Sequence, residues 1–102
     1  MKLQDCHISG QGAGELAAAL YKNSTLEILD LDCNPISVEG AYSMSDMLQH
    51  NTSLTWLYMH DDSVGEEGVH QLMNSLNYNQ TLKELWLPKK YNSETSDRRI
   101  RW

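Results

Sequence analysis

One spacing governs this chain. Met1, Leu29, Leu57 and Leu85 stand 28 residues apart, and the columns that follow them keep their chemistry without any insertion. Leu3, Leu31, Met59 and Leu87 form one column, Ile8, Ile36 and Val64 a second, and Gly12, Gly40 and Gly68 a third. Leu20, Leu48 and Leu76, then Asn23, Asn51 and Asn79, then Leu26, Leu54 and Leu82 continue the series. A constant period of this size means that each unit is one supersecondary element that cannot bury its own apolar side and must stack on its neighbours. The 102 residues hold three full units and the strand of a fourth.

Within a unit the hydrophobic period changes. Leu29 and Leu31 are two apart, which sends both side chains to one face of a short strand. Cys33-Asn34-Pro35-Ile36-Ser37 follows as a turn, with Ile36 returning to the interior. Ala41, Met44 and Leu48 then fall at helical spacing, as do Ala13, Leu16 and Leu20 before them and Val69, Leu72, Met73 and Leu76 after them. Ser9 and Ser37 stand where N-caps belong, Glu39, Glu66 and Glu67 favour the positive end of a helix, and Asn23, Asn51 and Asn79 suit left-handed helix ends. The recurrent glycines predict close packing of each helix start on the strand layer. Together these features predict an α/β fold: a curved solenoid with a parallel sheet on its inner curve and helices outside.

Leu26-x-x-Leu29-x-Leu31-x-x-Asn34-x-Ile36 resembles the leucine-rich repeat signature. Leu54 to Val64 repeats it with Met59 and Asp62 as replacements, and residues 1 to 8 give a truncated copy with Cys6 in the Asn slot. The constant 28-residue unit with a full helix is similar to the ribonuclease-inhibitor-like subclass, which also forms the sensor end of NOD-like immune receptors. The resemblance implies a right-handed solenoid over residues 1–87 and a non-catalytic role in recognition. Asp62 and Lys90 depart from the Asn column, so a side-chain ladder through that column is expected to fail toward the C-terminus.

Residues between the core leucines point away from the interior, into the concave surface. Three outward columns result: Ile28, Trp56 and Glu84; Lys2, Asp30, Tyr58 and Trp86; Gln4, Asp32, His60 and Pro88. With strands about 4.8 Å apart, Trp56, Tyr58 and Trp86 form one patch beside Asp30, Asp32 and His60. Grouped exposed aromatics of this kind mark protein interfaces. The expected ligand-binding set is therefore Ile28, Asp30, Asp32, Trp56, Tyr58, His60, Glu84 and Trp86, taking a protein or microbial ligand. A competing explanation is that aromatic residues simply favour strands and that the tail covers Trp86.

Other chemistry is weakly represented. Asp30, Asp32, His60, Asp61 and Asp62 hold metal-binding residue types, but their spacing is inherited from the repeat, so no metal site is expected. No Ser, Cys or Thr has a base and an orienting acid at a recognisable spacing, and Gly10-Gln11-Gly12-Ala13-Gly14 lacks the Lys of a phosphate loop. Neither an enzyme nor a cofactor is expected. A net charge of -6 argues against nucleic acid, and neither a membrane-spanning run nor a secretion signal is visible. Two unpaired cysteines, Cys6 and Cys33, fit a cytoplasmic setting. Column position makes Cys6 a core residue and Cys33 an outward one. Asn23-Ser24-Thr25, Asn51-Thr52-Ser53 and Asn79-Gln80-Thr81 match glycosylation acceptors, but helix-ending chemistry accounts for their recurrence.

Residues 88–102 break the period and carry five basic and two acidic side chains, against three basic and twelve acidic in residues 1–87. They read as a C-terminal cap, with Tyr91, Ile100 and Trp102 over the open core, or as a basic docking tail. At the other end, Met1 enters midway through a unit, so the edge around Leu3, Ile8 and Leu16 is predicted to lie open, as in the final piece of a longer solenoid or a chain that self-associates there.

Overall fold

A computed structural model describes all of residues 1–102. Three helices alternate with strands in chain order: α1 (Gly10–Tyr21), β1 (Ile28–Asp30), α2 (Ser37–Leu48), β2 (Trp56–Tyr58), α3 (Gly65–Ser75) and β3 (Glu84–Trp86), followed by β4 (Ile100–Arg101). The strands form one parallel sheet in the order β1-β2-β3-β4. Its register is the sequence period, with Leu29 opposite Leu57 and Leu57 opposite Leu85. Lys2 adds a parallel bridge to Asp30, so the first, truncated unit takes its place in the stack. No helix is long and apolar enough to cross a membrane.

The two-residue alternation works as expected. Leu29, Leu31, Leu57, Met59, Leu85 and Leu87 are fully buried on the helix side of the sheet. Ala41, Met44, Met47 and Leu48 of α2 and Val69 and Leu72 of α3 meet them there, and the loop residues Ile36 and Val64 fill the space between strand and helix. Leu3, Ile8 and Leu16 at the N-terminal edge are only partly buried.

Local details depart from expectation in instructive ways. Ser9 caps α1, accepting the amide of Gly12 at 3.3 Å. Ser37 does not cap α2: it is the first helical residue and takes a left-handed φ of 68°, matching Gly65 (φ 72°) one unit later. The turn after Ile36 or Val64 needs a left-handed residue to redirect the chain, and this need overrides the capping preference of serine. The glycines also serve another contact than the one expected. A Cβ on Gly40 would overlap the Ile36 side chain and lie 3.1 Å from Ala13 of α1, and one on Gly68 would lie 2.9 Å from Ala41 of α2. Gly40 and Gly68 thus set the approach of helix to helix over the Ile36 and Val64 plugs, whereas Gly12 meets only Ile8 and Ser9 of its own unit. Gly40→Val is therefore expected to splay α1 from α2 and cost roughly 2–4 kcal/mol, since overpacking adds to the helix penalty of a β-branched residue; urea denaturation measures it.

The asparagine column has a different role as well. Asn23, Asn51 and Asn79 do not adopt the left-handed conformation. Instead Asn51 and Asn79 are buried and tie successive units together. The Asn51 Nδ2 donates to the carbonyls of Leu20 (2.8 Å) and Asn23 (3.1 Å), while its Oδ1 accepts the amides of Ser53 and Leu54. Asn79 repeats the pattern on Leu48, Asn51, Thr81 and Leu82. Arg99 then takes the next place, its guanidinium donating to the carbonyls of Asn79 (2.6 Å) and Leu76 (2.9 Å). Asp97 pairs with that guanidinium at 2.6 Å. The contact holds the Asp97 carboxyl below its usual range and lifts Arg99 above its own.

Asn34 ties the first two units in the same manner. It is fully buried, its Nδ2 donating to the Leu3 and Leu31 carbonyls and its Oδ1 accepting the amides of Cys6 and Ile8. This second ladder stops at Asp62, whose side chain is exposed and whose carbonyl accepts the Tyr91 hydroxyl at 3.1 Å. Cys6 is exposed, not in the core: its amide joins the ladder by donating to Asn34 Oδ1, while its thiol turns to the Gln4 carbonyl at 3.4 Å.

Candidate functional site

The helix-free face of the sheet carries the outward columns in register. Ile28, Trp56 and Glu84 lie side by side, as do Asp30, Tyr58 and Trp86. Parallel pairing with a constant period brings like positions together, so Trp86 becomes the neighbour of Tyr58, 28 residues before it, and Trp56 shares their strand face. Ile28 is 41% and Trp56 36% exposed, while Asp30, Tyr58, Glu84 and Trp86 are half-buried by one another.

Contacts among these side chains fix the patch. The Tyr58 and Trp86 rings stack with centroids 5.9 Å apart and planes 20° from parallel. His60 meets Trp86 edge-on at 5.5 Å and 72°. The indole N–H of Trp86 donates to Glu84 Oε1 at 2.8 Å, which holds the ring over its own strand. Asp32 accepts from the His60 backbone amide at 2.8 Å and pairs with the His60 Nδ1 at 3.2 Å. Asp30 Oδ1 accepts the amide of Asp32. Ring stacking and edge contacts of this type add roughly 0.5–1.5 kcal/mol each beyond area burial, so the patch is preorganised. Burial first, then the nearby Glu84, Asp30 and Asp32 carboxylates, push the Tyr58 phenol up, keeping it neutral in a negative field.

All eight residues expected on this face are therefore brought together. Pro88 is not among the outward group, because it is buried where the chain leaves β3. Asp61 and Asp62 are turned away as well: Asp61 accepts the Ser63 amide at 2.9 Å and opens a short 3-10 turn at Asp62–Val64. Two features were not legible in sequence. Arg101 of β4 lies beside Trp86 in register, placing a cation at the far edge of the patch. A groove of about 730 Å³ runs between His60, Asp61 and Asp62 on one loop and Pro88, Lys89 and Lys90 on the next. The non-periodic tail forms one wall in each case, so the repeat carried no signal for either.

Residues 22–45 match a family model described as a leucine-rich repeat. The chain carries the leucine-rich repeat fold. Among solved structures, one titled Leiomodin-1 Actin-Binding Site 2 (ABS2) superposes with a TM-score of 0.73 at 18% identity over 86% of this chain. This chain spans 51%, about half, of that one. No curated protein matches it.

Proposed function

We propose that this leucine-rich repeat chain is a non-catalytic recognition module, a stretch of right-handed solenoid that binds a protein or microbial ligand through the concave face of its sheet. The finer reading is part of an intracellular NOD-like sensor acting in the cytoplasm, with residues 1–87 as the binding body and 88–102 as its C-terminal cap. One observation carries the binding role: Trp56, Tyr58 and Trp86 form an ordered, solvent-facing aromatic patch ringed by carboxylates, the composition of a binding hot spot. Actin is named for the leiomodin structure; at 18% identity that likeness supports the fold and makes actin a probe to try, nothing more.

The test uses peptides selected from a random displayed library on the intact chain. The double substitution Trp56→Ala, Tyr58→Ala is expected to weaken them at least tenfold, since each 1.4 kcal/mol lost from a hot spot is about a factor of ten. The melting temperature should move by less than about 6 °C, because the rings lie outside the core. A large loss of stability with intact binding would reverse the assignment. A second reading, a ribonuclease-inhibitor-like inhibitory or adaptor scaffold for a basic protein, is favoured by the excess of nine acidic charges in residues 1–87. Association that weakens steeply with salt would favour this second reading.

A further inference from the structure

The close acid–base contacts of the molecule are Asp97 with Arg99, an ion pair, and Asp32 with the His60 ring. Asp30 and Glu84, the two carboxylates that flank the aromatic patch, are in neither. Glu84 is engaged by the Trp86 indole, and Asp30 gives one oxygen to the Asp32 amide, which leaves its Oδ2 open. Trp86, on β3, covers one face of the Tyr58 ring. On the opposite side, toward β1, the register partner is Asp30; no second ring stacks on Tyr58, which stays part-exposed. At a strand spacing of about 4.8 Å, the open carboxylate oxygen is within reach of a flat group resting on that ring.

We infer that this place, the free face of Tyr58 above Asp30, takes the guanidinium of an arginine presented by a protein partner. The inference rests on the reading of the sheet face as a protein-binding surface and names the chemistry that surface selects. A guanidinium is planar, weakly hydrated and permanently charged, so it stacks on a phenol face while donating to a carboxylate beside it. An ammonium is compact and strongly hydrated and satisfies the carboxylate without using the ring as well. Ile28 and Trp56, both exposed next to the slot, supply apolar contact for the residues flanking the arginine. The field of Asp30, Asp32 and Glu84, which also raises the Tyr58 phenol, attracts the cation.

The experiment uses the library-selected peptides and the intact chain. Arginine should be enriched among them, and its replacement by citrulline, the neutral isostere, should weaken binding about tenfold. Asp30→Asn, which keeps the oxygen that accepts the Asp32 amide, should cost the arginine peptide a similar factor and leave the citrulline peptide unchanged. Equal binding of the lysine version would overturn the choice of guanidinium. If the peptides require Trp56 but tolerate citrulline or Asp30→Asn, the arginine slot is wrong while the interaction surface stands. If they ignore Trp56→Ala and Tyr58→Ala, the surface itself is wrong.

Discussion

Asn51→Ala is expected to remove about 3 kcal/mol of folding stability, enough to unfold much of the population of a marginally stable domain at 37 °C. The Asn51 side chain satisfies two carbonyls of the preceding unit and two amides of its own; the bonds to Leu20 and Leu54 are buried and those to Asn23 and Ser53 part-buried. Truncation orphans the Ser53 and Leu54 amides and takes one donor from each of the Leu20 and Asn23 carbonyls, which keep the Asn23 amide and the Ser53 hydroxyl respectively; a group orphaned away from water costs about 1–3 kcal/mol. Asn23→Ala is the matched control: the same column, but exposed and bonded only to Thr25 and Leu26 within its own turn. Its expected cost is under about 1 kcal/mol, that of a local turn bond. Chemical denaturation of both variants measures the difference. Equal losses would show that the column acts by ending helices, and that the cross-unit ladder contributes little.

Deleting residues 88–102 is expected to convert the chain from a soluble species into an aggregating one, visible by size-exclusion chromatography with light scattering. β4 pairs with β3, and the Leu85 and Leu87 amides donate to the carbonyls of Arg99 (2.8 Å) and Arg101 (2.9 Å). Ile100 is buried against the sheet end, with Tyr91 and Trp102 packed alongside. Removal exposes an open parallel strand edge and the apolar end of the core at once, the combination that templates association between chains. Arg99→Met separates the two contributions. It keeps most of the packing but takes the Arg99 donor from the Asn79 carbonyl and leaves the Leu76 carbonyl only the Asn79 amide, and an intermediate loss of stability without aggregation is the expected result. A deleted chain that stays soluble with an unchanged melting temperature would assign the segment to partner docking instead.

The sequence, read alone, determined the 28-residue unit, the parallel register and which leucines face inward, because a strand alternates sides every residue and a helix repeats every 3.6. It also determined the aromatic columns, since identical units in register must align identical positions. Tertiary structure decided what periodicity does not encode. Ser37 became a left-handed turn residue, Cys6 came to the surface, and Gly40 and Gly68 faced neighbouring helices. The Asn column proved to be a chain of bonds between units that ends on Arg99, only 20 residues after Asn79 and so invisible to a period of 28. A repeat fixes the face on which each side chain lies. The partner of a hydrogen bond depends on directions and distances between units, and those exist only once the units have stacked.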